Sequence, residues 1–299
     1  MDTSSGSRLR WTPYLLLTVA PLCWAGNVVV ARNIVDTVSP LSLAFWRWTL
    51  AFAILLPFAW KQVVRDWSVF LTHWKIFCFF GLTGISMWNT LLYVAVQTTT
   101  AINAALMLTV MPAMIVLISL AAFKEKITPL QMTGLCFSMI GAVTVVLHGR
   151  LENLVNFVFV EGDLFMLLAV LVYALYSAFL KSRPPVHPVS FLLFVIGIGF
   201  LGLLPLYGWE CVEATAFSFD KAFLFSIAYF AVFPSLVAYF CWNRGVELIG
   251  ANRAGLFINL MPVFTSIMAL IWLDEALHPY HLIGLFLIFT GMALFNRHR

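Results

Sequence analysis

Residues Thr100–Gly141 read TAINAALMLTVMPAMIVLISLAAFKEKITPLQMTGLCFSMIG, and residues Gly250–Gly291 read GANRAGLFINLMPVFTSIMALIWLDEALHPYHLIGLFLIFTG. Ala101, Ala104, Leu106, Met111, Pro112, Leu120, Glu125, Pro129, Gly134, Leu135 and Gly141 each recur 150 positions further on. Each copy holds two apolar runs of membrane-spanning length, the first interrupted at its middle by Met-Pro. A membrane helix broken at corresponding places in two halves of a chain points to a transporter's binding site.

The rest of the chain is equally apolar. It is 62% hydrophobic and 10% charged, against about 25% charged in a soluble domain. About 20 apolar residues cross a ~30 Å hydrocarbon core. On that ruler ten spans fall near 11–31, 41–60, 75–96, 102–123, 130–148, 162–180, 189–209, 221–243, 253–273 and 280–296. The run 11–31 follows Arg8 and Arg10 but is too long for a signal-peptide core, so it reads as a retained span. The net charge of +4 comes from short basic clusters between spans, which argues against a nucleic-acid partner. Five scattered cysteines make neither a disulfide framework nor a metal site. No catalytic or phosphate-loop motif is present, and the six histidines are solitary, so neither enzyme chemistry nor a cofactor is expected.

With the N-terminus inside, thirteen Lys and Arg residues fall in inner segments and three (Arg32, Arg150, Lys221) in outer ones. By the positive-inside rule both termini are then cytoplasmic. The fourth and fifth spans recur as the ninth and tenth, so the repeating unit has five helices. Five is odd, so the second copy enters the membrane from the opposite side. The expected fold is an all-α integral membrane protein of ten helices in two inverted five-helix repeats. Residues 1–10 form a cytoplasmic tail, 11–148 the first repeat, 149–161 an outer connection, 162–296 the second repeat and 297–299 a second tail.

Several segments carry a family likeness: Trp24-Ala25-x-Asn27, the two Met-Pro helices, Glu125 and Glu275 followed by Pro129 and Pro279, and Pro234-Ser235-Leu236-Val237-Ala238-Tyr239-x-x-Trp242-Asn243. On these the chain resembles the drug/metabolite transporter superfamily, in its ten-helix EamA-type branch of exporters. The likeness implies outward movement of small metabolites, amino acids among them, across the cytoplasmic membrane of a bacterium. Aromatic, carboxylate-free spans suit bulky or aromatic amino acids. An exchanger of phosphorylated or nucleotide-linked solutes, or a non-transporting membrane protein, stands as the alternative.

Pro112 and Pro262 each remove a helical N–H near mid-span, and Thr109 and Asn259 bring polar groups to that level. Trp24, Asn27, Trp88, Asn89, Tyr93, Asn103, Tyr173, Tyr176, Tyr239 and Asn243 complete an aromatic, uncharged candidate cavity. Two readings fit Arg47, inside the second span: it meets an anionic group such as a substrate carboxylate, or it snorkels to outer headgroups between Trp46 and Trp48. No Asp or Glu is read within any span. Glu125 and Glu275 sit at helix ends as turn or gate residues, Glu125 between Lys124 and Lys126. The small-residue stripes Gly134/Ser138/Gly141 and Gly284/Gly291 suit close helix contact, either with each other or in a homodimer; the chain is a monomer or a homodimer.

Overall fold

A computed structural model describes residues 4–31, 39–150, 152–155, 158–213, 221–272 and 278–297. Every regular element among them is helical. In chain order these are α1 (Ser4–Ala31), α2 (Pro40–Thr72), α3 (Trp74–Gly81), α4 (Trp88–Val96), α5 (Ala101–Leu108), α6 (Met111–Phe123), α7 (Pro129–Val146), α8 (Glu152–Val155), α9 (Glu161–Phe179), α10 (Pro188–Glu213), α11 (Lys221–Phe230), α12 (Ala238–Ile249), α13 (Ala251–Gly255), α14 (Leu260–Trp272) and α15 (Pro279–Asn296). Among the described residues, eight helical stretches are long and apolar enough to cross a membrane. Of the two further expected spans, 11–31 lies within α1. The other, 253–273, is divided between α13, a 3-10 turn at Leu256–Asn259 and α14.

Local chemistry sets most boundaries. Thr128 and Gln131 form a reciprocal capping box ahead of α7, with Pro129 in the first helical turn. Thr100 caps α5 through the Asn103 N–H at 3.2 Å. The second span ends later than expected: nothing after Trp60 breaks a helix until His73, so α2 runs for 33 residues. At ~1.5 Å per residue that exceeds a ~30 Å core, and its last turns project beyond it.

Two interruptions are absent from the sequence expectations. A π-helical turn at Leu82–Met87 separates α3 from α4, and another at Ala231–Val237 separates α11 from α12. Adding 150 to the first range gives 232–237, so the two widenings occupy equivalent places in the two halves. Pro234, which lacks an N–H, accounts for the second. Side chains reach the loosened carbonyls: Thr83 Oγ1 donates to Phe79 O, Asn89 Nδ2 to Ile85 O and Ser235 Oγ to Phe230 O, at 2.6–2.8 Å.

The small-residue stripes place α7 directly on α15. A Cβ added to Gly134 would lie 2.6 Å from the Gly291 carbonyl oxygen, and one on Gly141 2.7 Å from that of Gly284. Only glycine lets two backbones approach so closely. Asp163, near the start of α9, corrects the expectation that no carboxylate lies within a span: it is fully buried. It accepts from Thr99 Oγ1, from Asn103 Nδ2 at 3.2 Å and from the Val160 N–H at 2.9 Å. Its place is that of a helix-start cap, which ties α9 to the α4–α5 connection.

Candidate substrate site

Helices from both halves bring their aromatic residues to one place. α1 contributes Trp24, α2 Trp48, α4 Trp88, α9 Tyr173 and Tyr176, and α12 Tyr239 and Trp242. Tyr173 lies at the centre, its ring centroid 5.0 Å from Trp88, 5.4 Å from Tyr176, 5.9 Å from Trp24 and 6.2 Å from Tyr239. Trp48 meets Tyr239 edge-on at 5.0 Å, and Trp24 meets Trp242 at 5.6 Å. Trp24, Asn27 and Trp88 are half-buried, whereas the other rings are enclosed.

The polar tips of these rings are anchored on the two π-turns. Tyr239 OH donates to Gly84 O at 2.6 Å, and Trp24 Nε1 donates to Pro234 O at 3.1 Å. Positions 84 and 234 are 150 apart, so corresponding carbonyls in the two halves serve corresponding purposes. Tyr176 OH donates to Asn243 Oδ1 at 2.7 Å, and Trp242 Nε1 to Ser177 Oγ at 3.2 Å. These four buried or half-buried donors are thereby satisfied.

Arg47 stands at the edge of this cluster. It is 6% exposed, which removes the snorkelling reading. Its Nη1 and Nη2 reach Asn27 Oδ1 and Asn89 Oδ1, each at 3.4 Å, and its guanidinium lies 4.9 Å from the Trp48 ring. Its Nε–H finds no partner, and no carboxylate pairs with it among the described residues. An arginine at the centre of a membrane helix costs about 2.5–3.5 kcal/mol on insertion scales, so a buried one within a span without a carboxylate partner is a candidate for function.

Just beyond the C-terminal end of α9, ion pairs tie several helix ends together. Lys181 pairs with Glu125, whose other oxygen accepts from Asn252 Nδ2 at 3.1 Å. Arg183 and Arg244 share Glu247, each at 2.6 Å. Desolvation by burial lowers the pKa of Arg183, and Glu247 opposes that shift. A cavity of about 430 Å³, lined by Ser119, Glu125, Lys181, Arg183 and Glu247 among others, lies here. Glu125 is thus paired across to Lys181 after α9, rather than to Lys124 or Lys126 beside it. Lys124 instead ends α6 in a left-handed conformation, φ 56°.

The other expected site residues are placed as follows. Trp24, Asn27, Trp88, Asn89, Tyr173, Tyr176, Tyr239 and Asn243 come together with Arg47. Thr109 donates to its own helix, at Leu106 O (2.6 Å), and Asn259 Nδ2 donates to Ser138 Oγ on α7 (2.9 Å). Pro112 is buried against α13, 3.5 Å from where a Cβ on Gly255 would lie, and Pro262 is half-buried on α14. The second Met-Pro break therefore meets α7, the first packs on α13, and Asn103 is turned to Asp163. Tyr93 lies in α4, with its side chain outside the described residues, and Glu275 lies outside them altogether. The sequence reading missed Trp48 and Trp242 as members of the cluster, and Lys181, Arg183 and Glu247 as members of the ion pairs at the helix ends. Trp48 had a signal: Ala44 and Ala51, at i−4 and i+3, are fully buried with it on one helical face.

The chain is an all-helical protein with eight helical stretches of membrane-spanning length and an aromatic cluster drawn from both halves. The model of the EamA-like transporter family matches residues 11–147 and again 160–297, and the chain belongs to that family. It is 26% identical to "Uncharacterized transporter YyaM" of Bacillus subtilis, over 93% of this chain and 92% of that one. It is 24% identical to "Probable terminal-alkyne amino-acid exporter" of Streptantibioticus cattleyicolor, over 97% and 94%. One solved crystal structure shares its fold with a TM-score of 0.78 at 18% identity, covering 95% of this chain and 96% of that chain.

Proposed function

We propose that the chain is a secondary transporter that moves small metabolites such as amino acids, aromatic ones included, out of the cell by alternating access. In this reading two five-helix repeats, 11–148 and 162–296, sit in opposite orientation in the cytoplasmic membrane of a bacterium, with both termini inside. The observation that carries it is the aromatic cluster between the halves: Trp24, Trp48 and Trp88 come from the first, and Tyr173, Tyr176, Tyr239 and Trp242 from the second. A small movement of one half against the other opens such a cluster to one side or the other. The ion pairs of Glu125 and Glu247 serve as the inner closure, because Lys181, Arg183 and Arg244 fall on the side the positive-inside rule makes cytoplasmic. The amino-acid class draws support from the enclosed aromatic rings and from the printed name of one relative.

The test is efflux of labelled amino acids from liposomes holding the purified protein, with and without a pH gradient. Saturable efflux of phenylalanine or tryptophan is expected. Absence of flux for every amino acid would refute the reading.

A further inference from the structure

We propose that the site selects its solute through a carboxylate held at Arg47, and that an ammonium group on the solute is dispensable; this rests on the transporter reading above. The cluster is unbalanced in its hydrogen-bonding groups. Its unused groups are chiefly donors: Arg47 Nε–H, Trp48 Nε1–H and the Asn243 Nδ2 amide have no partner, and each belongs to a residue more than nine-tenths buried. Of its acceptors, Asn243 Oδ1 is taken by Tyr176, Pro234 O by Trp24, Gly84 O by Tyr239, and Asn27 and Asn89 Oδ1 by Arg47 itself; the Tyr173 hydroxyl, which can donate or accept, is also without a partner.

Buried spare donors in the same cluster as a fixed positive charge, with Trp48 directly beside Arg47, suit an acceptor-rich anion. The two bonds that Arg47 makes are 3.4 Å long, beyond the ~2.7–2.9 Å of a charge-assisted bond, so the guanidinium retains capacity for a carboxylate. Beside it the half-buried rings of Trp24 and Trp88 flank Tyr173 and offer flat apolar faces for the body of the solute. No acidic side chain among the described residues pairs with Arg47 to receive an ammonium. Aromatic faces tolerate an ammonium close to the carboxylate of a zwitterion. A cation lacking the carboxylate meets only the repulsion of Arg47.

The experiment measures binding to the full-length protein in detergent micelles by calorimetry. Four probes are used: 3-phenylpropanoate, phenylalanine, 2-phenylethylamine and sulfate. The expected result is comparable affinity for the two carboxylates, and binding of the amine weaker by about 30-fold or more. Sulfate should not displace 3-phenylpropanoate. Arg47→Gln should weaken both carboxylates by about 30-fold or more, and Arg47→Lys by less, because an ammonium keeps the charge and loses the fork. The proposal is overturned if the amine binds as tightly as the acid, if phenylalanine binds and 3-phenylpropanoate does not, if sulfate competes as an equal, or if folded Arg47→Gln keeps its affinity. The comparison of probes on the unsubstituted protein needs no variant to fold. Amino-acid efflux with any of those binding results would leave the transporter reading intact. Carboxylate binding without flux would remove that reading and keep the site.

Discussion

Tyr176 lays its ring against the π-turn at Gly84, where an added Cβ would come within 2.5 Å of two ring carbons. The ring has little room to give: its hydroxyl is bonded to Asn243 at 2.7 Å, and Phe80 stands edge-on to it at 5.7 Å. Gly84→Ala should therefore lower stability by about 1–3 kcal/mol through overpacking. The thermal midpoint in detergent should fall, and efflux should fall with it because the Tyr239 bond to Gly84 O lies on the same turn. An unchanged midpoint with normal efflux would mean that this contact is loose. The aromatic members of the site were legible as residue types in the spans, since a large polar-tipped ring in an apolar helix stands out. Their pairing was not, because Gly84 and Pro234 carbonyls become acceptors only once the helices widen. Arg47 illustrates the same limit: its position was readable, but burial against Asn27 and Asn89 depends on three helices meeting.

At the scale of elements, the α7–α15 contact was readable because glycine at seven-residue spacing in two equivalent helices has few other uses. A Cβ on Gly291 would lie 2.4 Å from the Gly134 carbonyl oxygen and 2.5 Å from the Ser138 nitrogen. Gly291→Ala should cost about 3 kcal/mol. Gly208→Ala, where nothing lies within 4 Å, should stay within about 0.5 kcal/mol, and thermal melts of the pair make the comparison. The π-turns were not readable, since Leu82–Met87 holds no proline and its widening arises from packing against α9 and α10. The ion pairs at the helix ends were half-readable. Glu125 was marked by its place at a helix end, but its partner Lys181 lies 56 residues away. Glu247→Gln releases Arg183 and Arg244 together, and loss of ~1 kcal/mol of exposed pairing shifts an opening equilibrium about fivefold. In a chain whose five native cysteines are replaced, a cysteine at Ser119 should then react faster with an impermeant thiol reagent from the Lys181 side. An unchanged rate would remove these pairs from any closing role.

Across the whole molecule, the two matched family segments, the π-turns 150 positions apart and the cluster between them belong to one arrangement. If the halves rock around a single site, solute must cross one load at a time, and solute on one side must accelerate movement from the other. Counterflow tests this most directly. Liposomes holding the protein are loaded with unlabelled phenylalanine and diluted into a trace of labelled phenylalanine. A carrier with one central site predicts transient accumulation of label above the outside concentration, abolished when the internal phenylalanine is omitted. Label that enters without accumulating, or does not enter, would contradict alternating access through this site.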